Sequence, residues 1–103
     1  VSFVKVCSLA SLADDSAIHV DVDGVELCVA RTQGEVFAIR DECSHAEVPL
    51  SEGDVEDGTV ECWLHGSRFD LRSGKPTGLP ATEAVPVYPV RVDGDDVFVA
   101  VKE

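Results

Sequence analysis

The sequence predicts an all-β fold of antiparallel hairpins, interrupted by a loop-rich insert over residues 41–82. Three features predict it. Apolar residues alternate with polar ones at a period of two, short turn pairs separate the alternating runs, and helical periodicity is nearly absent. The run from Ser8 to Asp14 is the exception, reading as a single helical turn with Ser8 as its cap. Ile18 to Val22 alternates as a half-buried strand and ends in Asp23-Gly24, a type I′ hairpin signal. Val25 to Ala30 reads as the returning strand, and Gln33-Gly34 turns the chain into Val36 to Ile39. After the insert, Val85 to Val92 and Val97 to Val101 flank a turn at Asp93-Gly94-Asp95. Pro86 and Pro89 mark the first of these as an edge or irregular strand, because proline donates nothing to a ladder.

The insert has a different texture. Gly53, Gly58, Gly66, Gly74, Gly78, Pro49, Pro76 and Pro80 break it up, and acids fill much of the remainder. Long loops inside a compact domain are usually functional. The whole chain, 1–103, reads as one domain with no room for a separate catalytic domain. Hydrophobic residues make up 45% and charged residues 27%, so it is globular.

Eight Lys+Arg against 20 Asp+Glu give a net charge of −12. Such a chain repels nucleic acid and anionic membrane and attracts a basic docking face. Simple solubility explains the same charge, and composition does not separate the two. No run of 18 apolar residues exists, so no membrane span is expected. Val1 to Cys7 lacks the basic and apolar regions of a signal peptide, and the absent initiator Met suggests processing or trimming. A cytoplasmic, reducing compartment is therefore expected. There Cys7, Cys28, Cys43 and Cys62 read as thiols or metal ligands sooner than as disulfides.

The insert holds Cys43-Ser44-His45 and, after residues 46–61, Cys62-Trp63-Leu64-His65. Zinc accepts two thiolates and two imidazoles, but structural zinc sites favour two cysteines in one knuckle. Here each loop offers one Cys and one His. That suits a two-iron cluster, with Cys43 and Cys62 on one iron and His45 and His65 on the other. Cys7 and Cys28 lie on strand-like segments and read as buried, unreactive thiols, and His19 reads as a surface residue. The acidic run Glu52, Asp54, Glu56, Asp57 and Glu61 is either a solvated face or a docking face. Gly66 and Gly78 serve either close backbone approach or ordinary turns.

These two segments, with Gly66-Ser67-Arg68-Phe69-Asp70 after the second, resemble the cluster loops of Rieske proteins. The stretch from Phe69 to Ala81 is similar to the matching stretch of ferredoxin components of bacterial aromatic-ring dioxygenases. The resemblance implies an antiparallel β-sandwich base carrying an inserted cluster-binding subdomain, about 41–82. It implies one 2Fe–2S cluster bound by Cys43, His45, Cys62 and His65, and a proline loop over it at Gly78 to Ala81. Respiratory Rieske proteins carry an extra cysteine in each loop. Val48 and Leu64 stand at those positions here, so no such bridge can form. Trp63 stands where Rieske loops usually have proline. Ser67 matches the family's hydroxyl donor to the cluster, whereas Phe69 replaces the tyrosine of high-potential members.

The implied function is that of a soluble one-electron carrier, monomeric when free and not itself an enzyme. It would pass electrons from an NAD(P)H-dependent flavoprotein reductase to a terminal oxygenase. With every cluster position filled by protein, no site is left open for substrate. The chain's end at Glu103 favours a free carrier over the N-terminal domain of an oxygenase. The small subunit of a nitrite-reductase-type complex is the alternative, and a zinc-stabilised interaction module a remoter one.

Overall fold

The computed structural model describes residues 3–43, 48–64, 66–78 and 83–101. Among the described residues ten strands run in chain order: β1 (Val4–Ser8), β2 (Ser16–Val22), β3 (Val25–Thr32), β4 (Glu35–Arg40), β5 (Val55–Glu56), β6 (Thr59–Glu61), β7 (Arg68–Asp70), β8 (Val87–Tyr88), β9 (Val90–Asp93) and β10 (Asp96–Val99). They form three antiparallel sheets in the orders β1-β10-β9, β2-β3-β4-β8 and β5-β6-β7. Short 3₁₀ turns occur at Leu9–Ser11 and Leu50–Glu52. The first matches the expected helical turn, but Ser8 makes no side-chain capping bond; the Ser11 hydroxyl instead donates to the Ser8 carbonyl.

The hairpins obey their turn residues. Type I′ turns need positive φ at both central positions. Asp23 and Gly24 (51° and 82°), Gln33 and Gly34 (55° and 76°) and Asp57 and Gly58 (50° and 78°) all meet that need. These turns fix the register, Val22 opposite Val25 and Thr32 opposite Glu35.

Near the C-terminus the expected long strand is two short ones. β8 pairs with β4, and β9 pairs with β10 in another sheet. The chain changes layer at Pro89. Each proline lacks a donor but still accepts: Pro86 O from Arg40 N at 3.0 Å, and Pro89 O from Ala100 N at 3.1 Å. Both strands lie at sheet edges, as the prolines require.

The central sheet carries two cores. Leu27 and Val29 of β3 pack with Leu12, Val22, Ala38, Val97 and Val99. Cys28 and Ala30, on the alternate phase, pack with Ile39, Cys43, Leu50, Val55, Val60, Cys62, Phe69, Leu71 and Val85. β3 is thus buried on both faces, where alternation alone suggested a half-buried strand. One face joins the β1-β10-β9 sheet into the sandwich base. The other receives the insert.

The insert is more ordered than its composition suggested, since β5, β6 and β7 form a sheet of their own. It is tied to the central sheet at its rim. Arg72 pairs with Glu35 and lies 5.2 Å over the Phe37 ring, and Gly58 N donates to Thr32 Oγ1 at 3.2 Å. At Gly53 the backbone runs against β6 so closely that a Cβ would stand 1.6 Å from the Glu61 carbonyl oxygen. Gly53→Ala is expected to cost about 3 kcal/mol or more through this overlap. Gly24→Ala, where a Cβ meets nothing within 4 Å, should cost only the left-handed backbone penalty of about 1–2 kcal/mol. Denaturant unfolding checks both, and equal losses would contradict the packing described.

Candidate metal centre

Two loops leave the sheets and return to the same core. After β4 the chain passes Asp41, whose N–H donates to Glu26 O at 2.9 Å, and reaches Cys43. The Cys43 N–H donates to Val48 O at 3.0 Å, pinning the loop five residues on. After β6, Cys62 repeats the device: its N–H donates to Ser67 O at 2.6 Å, again five residues on. Gly66 N donates back to Cys62 O at 2.9 Å, and Gly66 has φ +77°, which a side chain would strain. Each cysteine therefore sits at the pinned mouth of a short loop.

Neither cysteine is in a disulfide, and both are buried in the one core cluster with Leu50, Val60 and Phe69. Phe69 is completely enclosed, and Ser67 is buried as well. Directly after Cys62, Trp63 is 53% exposed and Leu64 43% exposed. The second loop thus turns from a buried root at Cys62 to exposed apolar side chains at Trp63 and Leu64. His45 and His65, as well as Glu47, Leu79, Pro80 and Ala81, lie outside the described residues. Two buried cysteines converging from separate loops fit a centre that takes one pair of cysteines on one iron. A Cys-x₂-Cys knuckle, as zinc prefers, is not what the chain offers. Among the described residues no group of three or more His, Cys, Asp or Glu is placed to hold a metal ion.

The other two cysteines lie on strands. Cys28 is fully buried on β3, and burial pushes its thiol far above the ordinary range. Cys7 is only half-buried, correcting the expectation of full burial; partial burial still raises its pKa. Of the acidic run, Glu52, Asp54, Glu56 and Asp57 are exposed and Glu61 is half-buried. At Gly78 a Cβ would meet nothing within 4 Å among the described residues.

One constellation was not legible beforehand. The Asp41 side chain is completely buried. It accepts from Ser51 N on Oδ1 and from the Ser51 hydroxyl on Oδ2, both at 2.6 Å. His19 Nδ1 lies 2.6 Å from Oδ2. His19 is half-exposed, as its strand phase suggested, but this bond to Asp41 raises its pKa above the usual imidazole value. The group borders a cleft of about 320 Å³ that Glu26, Glu42 and Glu52 also line. It is not a hydrolytic triad. The Ser51 hydroxyl donates to Asp41 rather than to His19, whose Nε2 faces Glu26 at 3.9 Å.

Residues 2–89 match the family described as Rieske [2Fe-2S] domain. The 3-phenylpropionate/cinnamic acid dioxygenase ferredoxin subunit of Escherichia coli (strain K12) is 40% identical over 101 residues, covering 97% of this chain and 94% of its own. The ferredoxin of carbazole 1,9a-dioxygenase from Nocardioides aromaticivorans IC177 superposes with a TM-score of 0.92 at 42% identity, over 99% of this chain and 100% of that one. A chain solved in the complex of reduced oxygenase and oxidized ferredoxin in carbazole 1,9a-dioxygenase gives 0.90 at 31% identity, over 95% and 92%.

Cys28, Cys43 and Cys62 are all buried in one cluster, and chain position separates them: Cys28 lies within a strand, whereas Cys43 and Cys62 open the two loops. Cys28→Ala should leave iron content unchanged and cost about 1–3 kcal/mol of stability. Cys43→Ser and Cys62→Ser should each lose most of the iron. Iron analysis of the purified variants checks this, and full iron retention in either serine variant would contradict the assignment.

Proposed function

The chain belongs to the Rieske 2Fe–2S domain family, and on that premise we propose that it carries single electrons from an NAD(P)H-dependent flavoprotein reductase to a terminal aromatic-ring oxygenase. Cys43 and Cys62 hold one iron in this reading, and His45 and His65 hold the other. The cluster supplies reversible one-electron chemistry, and two neutral imidazoles in place of thiolates raise its potential above that of an all-cysteine centre. What carries the reading is the pair of identically pinned cysteines in one core, together with ferredoxin relatives at 40% and 42% identity over nearly the full chain. The same relatives weigh against the nitrite-reductase alternative.

The protein's own residues serve carriage in three ways. The backbone pins at Cys43 and Cys62 hold the loops in fixed geometry. The surrounding core excludes water from both cysteines. Trp63 and Leu64 give the second loop an exposed apolar tip on which a partner can close. The net charge of −12 adds long-range attraction to a basic partner face. Four cysteines without a disulfide accord with a reducing cytoplasm, and no described helix is long and apolar enough to cross a membrane. A monomeric free state completes the proposal.

Purified protein should be red-brown, with about two irons and two labile sulfides per chain. A reconstituted mixture of NAD(P)H, reductase and oxygenase should turn over only when this protein is added. Colourless protein with stoichiometric zinc, or turnover independent of it, would overturn the reading.

Phe69 lies in the core cluster with both cysteines and has no hydroxyl to offer a sulfur. The potential should therefore lie near about −150 mV, the low end of the Rieske range. Phe69→Tyr should raise it, provided the new hydroxyl reaches a sulfur; a hydroxyl left unpaired would instead cost about 1–3 kcal/mol of stability. Protein-film voltammetry reads the potential, and a wild-type value well above zero would contradict the account.

Docking divides into a short-range and a long-range part. Trp63→Ala should slow electron delivery roughly tenfold at every salt concentration. Neutralising Glu47 and Glu52 to Gln should slow it only at low salt, because charge attraction is screened over a Debye length of about 8 Å at physiological ionic strength. Stopped-flow reduction of the oxygenase across a salt series checks both. An unimpaired Trp63→Ala protein would remove the apolar tip from the interface.

A further inference from the structure

The Asp41 constellation has a place in the chain that ordinary fold support does not require. Asp41 and Ser51 stand at the two ends of the first ligand loop, with Cys43 between them. One carboxylate joins them through both of its oxygens, by Ser51 N to Oδ1 and the Ser51 hydroxyl to Oδ2, each at 2.6 Å. The Asp41 N–H is itself held by Glu26 O of β3, and His19 of β2 supplies the third contact to the carboxylate. The loop is therefore anchored to the double-sided central sheet at a single buried side chain. Inside this ring lies the second pin, Cys43 N to Val48 O.

A buried carboxylate in this place also acts through its field. The carboxylate is completely buried two residues before Cys43, and after burial itself its charge is the second cause that raises the pKa of Cys28, which packs in the same cluster as Cys43 and Cys62. Negative charge near a redox centre opposes addition of an electron, and donors aimed at that charge moderate the opposition.

Resting on the cluster assignment above, we propose that Asp41 is a positioning residue for electron transfer: a buried carboxylate that closes the first ligand loop through Ser51 and holds the cluster's reduction potential down. Two substitutions should then act with opposite signs. Asp41→Asn keeps the shape, removes the charge and should shift the midpoint potential upward. Ser51→Ala keeps the Ser51 N–H bond, removes the hydroxyl donor from the carboxylate and should shift it downward. Ser51→Thr restores the hydroxyl and should return the wild-type value.

The test is voltammetry of the cluster-loaded proteins, with the electron paramagnetic resonance spectrum of the reduced state and thermal unfolding recorded in parallel. Opposite shifts for Asp41→Asn and Ser51→Ala, with recovery in Ser51→Thr, support the proposal. Unchanged potentials and spectra in both variants, even with lowered melting temperatures, overturn it and leave Asp41 a fold-holding residue. Shifts of the same sign likewise overturn it, since they report loosening of the loop rather than the carboxylate's charge. If Asp41→Asn does not assemble a cluster, the Ser51 pair decides: no downward shift in Ser51→Ala overturns the proposal. Failure of the underlying cluster assignment is seen separately, as the absence of a Rieske-type spectrum in the wild-type protein.

Discussion

Everything in this molecule hangs on one strand buried on both faces. β3 sends Leu27 and Val29 into the sandwich base and Cys28 and Ala30 into the core beneath the insert. A strand in that position cannot slip register, because a shift of one residue would exchange the two cores. The hairpin turns on either side of β3 hold it there. The insert thus stands on a rigid floor, and its two cysteines inherit that rigidity.

Rigidity suits a carrier. An electron moves readily when the centre that takes it rearranges little. The chain answers this with repeated small devices: a backbone bond five residues beyond each cysteine, a buried Phe69 filling the core, and Asp41 tying the first loop to the sheet. Trp63 and Leu64 are exposed directly after the buried Cys62. Both cysteine sulfurs are kept within the core, away from water.

Much of this was legible in the chain. The Asp23-Gly24 and Gln33-Gly34 turns act locally, so their hairpins could be read from a few residues. The Cys-x-His and Cys-x₂-His segments pointed to the family that residues 2–89 match, because ligand chemistry restricts residue type and spacing. What could not be read depends on distant contacts. The double burial of β3 arises only when a second sheet covers it. Strands β5, β6 and β7 are two or three residues long, too short to show a period. The layer change at Pro89 divides what looked like one strand. Asp41 looked like one acid among twenty, and the sole hint was its place just before Cys43. Cys7 was read as buried from its strand, but the β1 edge leaves it half-covered.

The central claim is that two histidines and two cysteines share one two-iron centre, with the third histidine, His19, engaged elsewhere with Asp41. Electron–nuclear double resonance on the reduced protein, made with ¹⁵N-labelled histidine, tests it most directly. The account predicts two histidine nitrogens coupled to the cluster, both kept in His19→Gln and one lost in each of His45→Cys and His65→Cys. Fewer than two coupled nitrogens in the wild-type protein, or loss of one in His19→Gln, would contradict it.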